Sequence, residues 1–244
     1  METLHQDISE ACKRADCGLW DAYVKSAQRS QTHESSVGRL IFPRDRGNAL
    51  RVSEQEARFA FVEALCQGPL RYSVEAPTSK LYSFSGKTSL SAQTDLQVHG
   101  ANEIGGICNV EFKAKGVSPS GNNFPIYKDV QKLLREPVWG LWFHLLESTD
   151  NSTINKFLNV MAQQLGKVQD KFGKDVEAPG LTLHVCVLRH RFSLQKDVPL
   201  PPDDISNDIK LLKQHLHVCL DESHPELTKE EDLKGWKLYR QSHV

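Results

Sequence analysis

Ser53-Glu54-Gln55-Glu56 has the spacing of a capping box, and Gly68-Pro69 is a stop signal. Together they predict a helix from about residue 53 to Gln67. Three segments of strand character follow, at Arg71–Phe84, Ala92–Val98 and Ile107–Lys115. Ile126–Arg135 returns to helical spacing and Pro137 ends it. Val138–Leu146 is a continuous apolar run too short for a core helix, so it reads as a buried strand. Phe157, Val160, Met161, Leu165 and Val168 mark a helix over Asn155–Phe172, and Leu181–Leu188 is a further apolar strand. The order α-β-β-β-α-β-α-β predicts an α/β fold with a central mixed sheet flanked by helices.

The two ends of the chain carry weaker patterns. Residues 1–48 read as an N-terminal extension with one amphipathic piece around Leu19–Val24, and residues 49–195 as the α/β core. Val198-Pro-Leu-Pro-Pro reads as a linker into an acidic C-terminal helical region, 196–244, packed on that core. With 39% hydrophobic and 25% charged residues over 244 positions, the composition excludes a disordered tail, a collagen-like fibre and a coiled coil. The net charge of −1 excludes a polycation that coats nucleic acid, so any basic surface must be local. Such an excess lies between Lys25 and Arg51, where six basic residues face only Glu34 and Asp45. It fits a DNA-contacting arm or a solvated connector equally well. The longest apolar run is about half a membrane span, and the charged N-terminus does not read as a signal peptide, so no membrane partner is expected. Six cysteines without a CxxC pair read as free thiols in a reducing cytoplasm. Cys66, Cys108 and Cys186 fall within apolar segments and are expected in the core.

The candidate chemistry lies in Ser91–Gly100 and Gly106–Lys115. Both segments alternate, which sets Gln93, Asp95 and Gln97 on one face of the first strand and Asn109, Glu111, Lys113 and Lys115 on one face of the second. Antiparallel pairing about a turn centred on Glu103 places Asp95 opposite Glu111, with Lys113 two residues further along the same face. Facing carboxylates repel. A divalent cation between them resolves the conflict, since Mg²⁺ favours hard oxygen ligands on rigid elements. A lysine beside such a metal can stabilise phosphoryl-transfer charge or hold the attacking water.

Asp95, followed sixteen residues later by Glu111-Phe112-Lys113, with an acidic helix before and a helix–strand pair after, resembles the PD-(D/E)XK nuclease superfamily. Its fold is the restriction-endonuclease-like core, and the resemblance covers roughly residues 50–190. The stretch Tyr72–Thr78 also has the look of bacterial members of that superfamily. Thr94 departs from the pattern by standing where the family has proline. The resemblance implies a nuclease in which Asp95 and Glu111 hold Mg²⁺ or Mn²⁺, Lys113 assists hydrolysis, and nucleic acid, with DNA favoured over RNA, is the substrate. It further implies a first-helix glutamate at the metal, for which Glu56 is preferred over Glu63. The bare acid-x-lysine pattern also occurs at Asp208-Ile-Lys210 and Asp232-Leu-Lys234, so element order and register carry the likeness.

Each candidate has a plainer reading. The polar hairpin face can be a solvated sheet face, and Glu56 is already accounted for by the capping box. Lys115, Lys128 and Lys132 are placed to contact a phosphate backbone, or else lie on solvated faces. The same holds for Arg189-His190-Arg191. His215, His217 and Cys219 are expected to bind no metal, because only His215 and Cys219 would share a helical face. A homodimer would suit double-strand cutting. A non-catalytic nucleic-acid-binding or protein-interaction module is the alternative function.

Overall fold

Glu56 Oε2 accepts from the Ser53 amide at 2.8 Å and from its hydroxyl at 2.5 Å, so the capping box predicted at the second helix is made. The computed structural model describes residues 2–28, 40–84, 89–101, 105–114, 124–199, 209–221 and 233–241. The helices are α1 (Glu2–Gln28), α2 (Glu54–Leu65), α3 (Phe124–Arg135), α4 (Asn151–Phe172) and α5 (Ile209–Leu216). The strands are β1 (Arg71–Tyr82), β2 (Leu90–His99), β3 (Gly106–Ala114), β4 (Trp139–Leu146), β5 (Gly180–Val187), β6 (Phe192–Pro199) and β7 (Lys237–Arg240). They form one mixed sheet in sequential order, with β3, β4 and β5 parallel and the flanking pairs antiparallel.

Both faces of the sheet are covered. Helices α3, α4 and α5 pack over Trp142, Leu181, Leu183 and Val185, while α1 and α2 pack over Val110, Phe112, Leu141 and Phe143. The central strands β4 and β5 are therefore buried on both sides. That is why their sequences read as unbroken apolar runs rather than alternating ones. No helix among the described residues is long and apolar enough to cross a membrane.

Two regions differ from the sequence expectation. Helix α1 spans 27 residues and contributes Ile8, Ala11, Cys12, Ala15 and Leu19 to the core, so it is an integral layer and not an extension. Its inward stripe is mostly Ala and Cys, which gives little hydrophobic contrast. Residues 192–199 form β6, a strand not expected from the sequence, paired along its length with β5; Val198 and Pro199, read as the start of a linker, are its last two residues. Its proline comes last in the strand, a position the ladder tolerates. The C-terminal chain adds β7 to the same sheet beyond α5. All six cysteines are free thiols. Cys108 and Cys186 are buried as expected, but Cys66 caps the end of α2 and is exposed.

Polar contacts fix the outer elements. In α1, buried Asp16 accepts from Ser193 Oγ at 2.5 Å and meets His184 Nε2 at 3.0 Å. At the end of α3, the buried Glu136 carboxylate accepts from the Ser79 and Lys80 amides and the Ser79 and Tyr82 hydroxyls, which ties β1 to that helix. Lys196 on β6 donates to the carbonyls of His215 and Lys234, capping the last turn of α5.

Burial, with Lys234 nearby, brings the Lys196 amine down to about 8 from its usual 10.5. Between those values the unfolded chain holds more of this proton than the folded one, so stability rises with pH in that window. Wild type is expected to gain stability relative to Lys196→Met as pH is raised from about 8 to 10 in urea unfolding. A difference that is flat or falls with pH contradicts this account.

Candidate active site

The β2–β3 ladder pairs Val98 with Cys108, Gln97 with Asn109 and Leu96 with Val110. The ladder ends at that pair; continued by one step, its register would set Asp95 opposite Glu111. At that step side chains take over from the backbone ladder. Asp95 Oδ2 accepts the Phe112 amide at 2.9 Å, and the Thr94 hydroxyl donates to the Val110 carbonyl at 3.1 Å. The strands part where the two carboxylates lie, and Thr94, at the position of the missing proline, helps to hold them there.

The polar face is only partly solvated: Gln93 is exposed and Asp95, Gln97 and Lys113 are half-buried, while Asn109 and Glu111 are buried. Glu111 is 1% exposed and lies under α3, and ion pairs from three elements converge around it. Lys132 Nζ of α3 is 2.6 Å from Glu111 Oε1 and 3.0 Å from Asp129 Oδ1. Lys113 Nζ is 2.9 Å from Asp129 Oδ2 and 3.7 Å from Glu54 Oε2. Arg58 of α2 donates to Asp95 Oδ1 at 2.9 Å. With Glu75, 3.9 Å from Arg58 on its outer side, five carboxylates thus face three cations at the carboxyl end of β3, the end at which open α/β sheets hold their ligands.

The electrostatics follow from burial and crowding. Burial, then Asp129, pushes the Glu111 carboxyl well above the ordinary carboxylate range; Asp95 adds to this and Lys132 opposes it. Both Glu111 oxygens are buried without a hydrogen bond among the described residues; Oε1 has the Lys132 ion pair, and Oε2 has no partner. Burial alone lowers the affinity of Lys113 and Lys132 for a proton, but Asp129 and the other carboxylates outweigh it and raise both. Both lysines are therefore held as ammonium ions at neutral pH. Neither is suited to act as a general base; both can offset negative charge.

The other predicted residues are distributed as follows. Glu56 stays in its capping box, and no contact joins it to Asp95, Glu111 or Lys113; the α2 acid that reaches the cluster is Glu54. Glu63 is exposed on α2 and lines a separate cleft between α1 and α2. Lys132, read as a phosphate contact, is 8% exposed and turned into the cluster, where it also donates to the Gln93 carbonyl at 2.9 Å. Lys128 lies over the Phe84 ring. Lys115, the Glu103 turn, Asp208 and much of the 25–51 arm lie outside the described residues. Cys219 lies beyond the end of α5, so the shared helical face with His215 does not form. His190 Nε2 is 3.3 Å from Ser148 Oγ, near a cleft of about 600 Å³ lined by Arg51, Val52, Glu147, Ser148 and Thr153 over the carboxyl end of β4.

Glu54, Arg58 and Asp129 were not singled out from the sequence. For Asp129 a signal existed. It and Lys132 flank the apolar stripe of Ile126, Val130 and Leu133 at i, i+3 spacing, where a polar pair is drawn partly inward. Arg58 had no comparable signal.

Among the described residues no three His, Cys, Asp or Glu side chains converge as a ready-made metal site. The donor set nevertheless fits a hard cation: two facing carboxylates, one of them with a buried, orphaned oxygen. Fold and cluster together define an α/β protein with a mixed seven-stranded sheet and a buried ionic cluster where β2 and β3 separate. Comparison of the chain with protein-family models, with curated proteins and with solved structures returned no match.

Proposed function

We propose that the protein is a metal-dependent nuclease with a restriction-endonuclease-like core, hydrolysing phosphodiester bonds of nucleic acid, with DNA as the favoured substrate. The observation that carries this reading is the buried Glu111 carboxylate, with one unpartnered oxygen, opposite Asp95 and within a cluster that holds Lys113 charged. The element order α2-β1-β2-β3-α3-β4 supports the same core. Asp95 and Glu111 would hold Mg²⁺ or Mn²⁺. When bound, that ion polarises the phosphodiester and activates water. Lys113, kept as an ammonium ion by Asp129, offsets charge that grows on the phosphoryl oxygens. Lys128 and Lys115 would meet the flanking phosphate backbone. The cluster needs a focused contact with substrate, in keeping with the near-neutral net charge. Six free thiols fit action in a reducing cytoplasm. A homodimer would allow double-strand cutting, and β1 at the sheet edge exposes Val74 and Leu81.

One observation favours a non-catalytic nucleic-acid-binding module on the same fold. Arg58 already pairs with Asp95 and Lys132 with Glu111, so most of the charge is compensated internally. Lys113→Ala separates the two readings. Loss of cleavage by about 10²-fold or more, with fold and DNA binding retained, is expected of the enzyme. Unchanged cleavage, or loss of binding in parallel with cleavage, overturns the assignment of Lys113.

A further inference from the structure

We infer that the ammonium of Lys132 is a built-in stand-in for the divalent cation. In the resting protein it fills the position between Glu111 and Asp129, and Mg²⁺ or Mn²⁺ binds by displacing it, with Asp129 joining Asp95 and Glu111 as a ligand. The inference rests on the metal-site reading above and adds to it a further ligand and a mode of entry.

Three observations support it. First, Lys132 Nζ has the surroundings of a bound cation rather than of a surface lysine. Three oxygens from three elements meet it, Glu111 Oε1 at 2.6 Å, the Gln93 carbonyl at 2.9 Å and Asp129 Oδ1 at 3.0 Å. An i, i+3 pair with Asp129 alone needs no such enclosure. Second, the ammonium satisfies only part of what faces it. Glu111 Oε2 stays buried without a partner, a state that is unfavourable for a carboxylate. Third, the charges do not balance while lysine is the cation. Glu54, Glu75, Asp95, Glu111 and Asp129 stand against only Arg58, Lys113 and Lys132, so carboxylates outnumber cations. Exchange of a single positive charge for a double one reduces that excess.

The same arrangement explains why no three carboxylates already converge. An ammonium holds its oxygens at hydrogen-bond distance, whereas Mg²⁺ draws them to about 2.0–2.1 Å. The carboxylates can close only when the lysine leaves. Its four-carbon stem allows the head to swing out while α3 stays in place, which frees a positive charge for an anionic substrate.

The test is Mn²⁺ binding to the full chain, read from the free-ion signal in electron paramagnetic resonance. Wild type is compared with Lys132→Met, Asp129→Asn and Glu111→Gln, each checked for fold by circular dichroism. Lys132→Met is expected to bind Mn²⁺ at least about tenfold more tightly than wild type, Asp129→Asn more weakly, and Glu111→Gln not at all. In wild type, Lys132 is expected to resist acetylation by acetic anhydride without metal and to become reactive with Mn²⁺, as read by peptide mass spectrometry. That second measurement decides the matter if Lys132→Met does not fold. Equal or weaker binding by a folded Lys132→Met, or unchanged labelling of Lys132 on Mn²⁺ binding, overturns the stand-in. If wild-type binding is nonetheless lost in Glu111→Gln, the metal site itself stands. Absence of Mn²⁺ binding in wild type and Lys132→Met alike overturns both.

Discussion

Glu111→Gln is expected to lower metal-dependent cleavage by about 10³-fold or more, the scale of removing one group that meets developing charge at a reaction centre. The substitution keeps shape and volume, so packing beneath α3 is preserved. It removes the negative charge that a divalent ion requires. Stability is expected to change by only about 1 kcal/mol, because a carboxylate disfavoured by burial is replaced by a neutral amide while Lys132 keeps Asp129. Cleavage assays beside urea unfolding check both parts. A variant that cleaves within tenfold of wild type contradicts the role of Glu111, and one that unfolds outright makes Glu111 a structural residue.

The largest effect on stability is expected at Asp16, on the opposite face of the sheet. Its carboxylate is fully buried and engages both Ser193 Oγ and His184 Nε2, thereby joining α1 to β5 and β6. His184 Nδ1 has no partner of its own, so Asp16 is the ring's one polar contact among the described residues. Asp16→Ala removes both hydrogen bonds and strands two polar groups in an apolar layer. The expected loss is about 3–5 kcal/mol, enough to bring a domain of ordinary stability close to unfolding. Urea or thermal unfolding reads it directly. A loss below about 1 kcal/mol means that the layer relaxes or admits water, and the pin assigned to Asp16 then fails.

The contrast between Glu111 and Asp16 shows what was legible in the sequence. The hairpin could be read because strand periodicity is 2. Once Leu96, Val98, Val110 and Phe112 are assigned to the core, Asp95, Glu111 and Lys113 must share the other face. The capping box at Ser53 is likewise local, complete within four residues. Asp16, by contrast, finds its partners 168 and 177 residues away, and nothing near it in the chain announces them. Arg58 and Asp95 are 37 apart. The polar face was expected to meet either solvent or a metal. In the structure α3 covers the part of it around Glu111 and supplies Lys132, an interaction that requires knowing on which face of the sheet the crossover helix lands. Helix α1 and strand β6 escaped for compositional reasons, the first because small residues line its buried stripe, the second because Pro199 and the prolines after it masked an alternating segment.

The measurement that bears most directly on the proposed function is cleavage of supercoiled plasmid and of single-stranded DNA by the purified protein in Mg²⁺ or Mn²⁺, with chelator and Asp95→Ala as controls. Asp95 bridges the parting strands through the Phe112 amide and faces Glu111, so its carboxylate is central to the account. Cleavage that requires the metal and disappears in a folded Asp95→Ala is the predicted result. Cleavage that persists in chelator or in Asp95→Ala, or a folded wild type that neither cuts either substrate nor binds Mn²⁺, contradicts it.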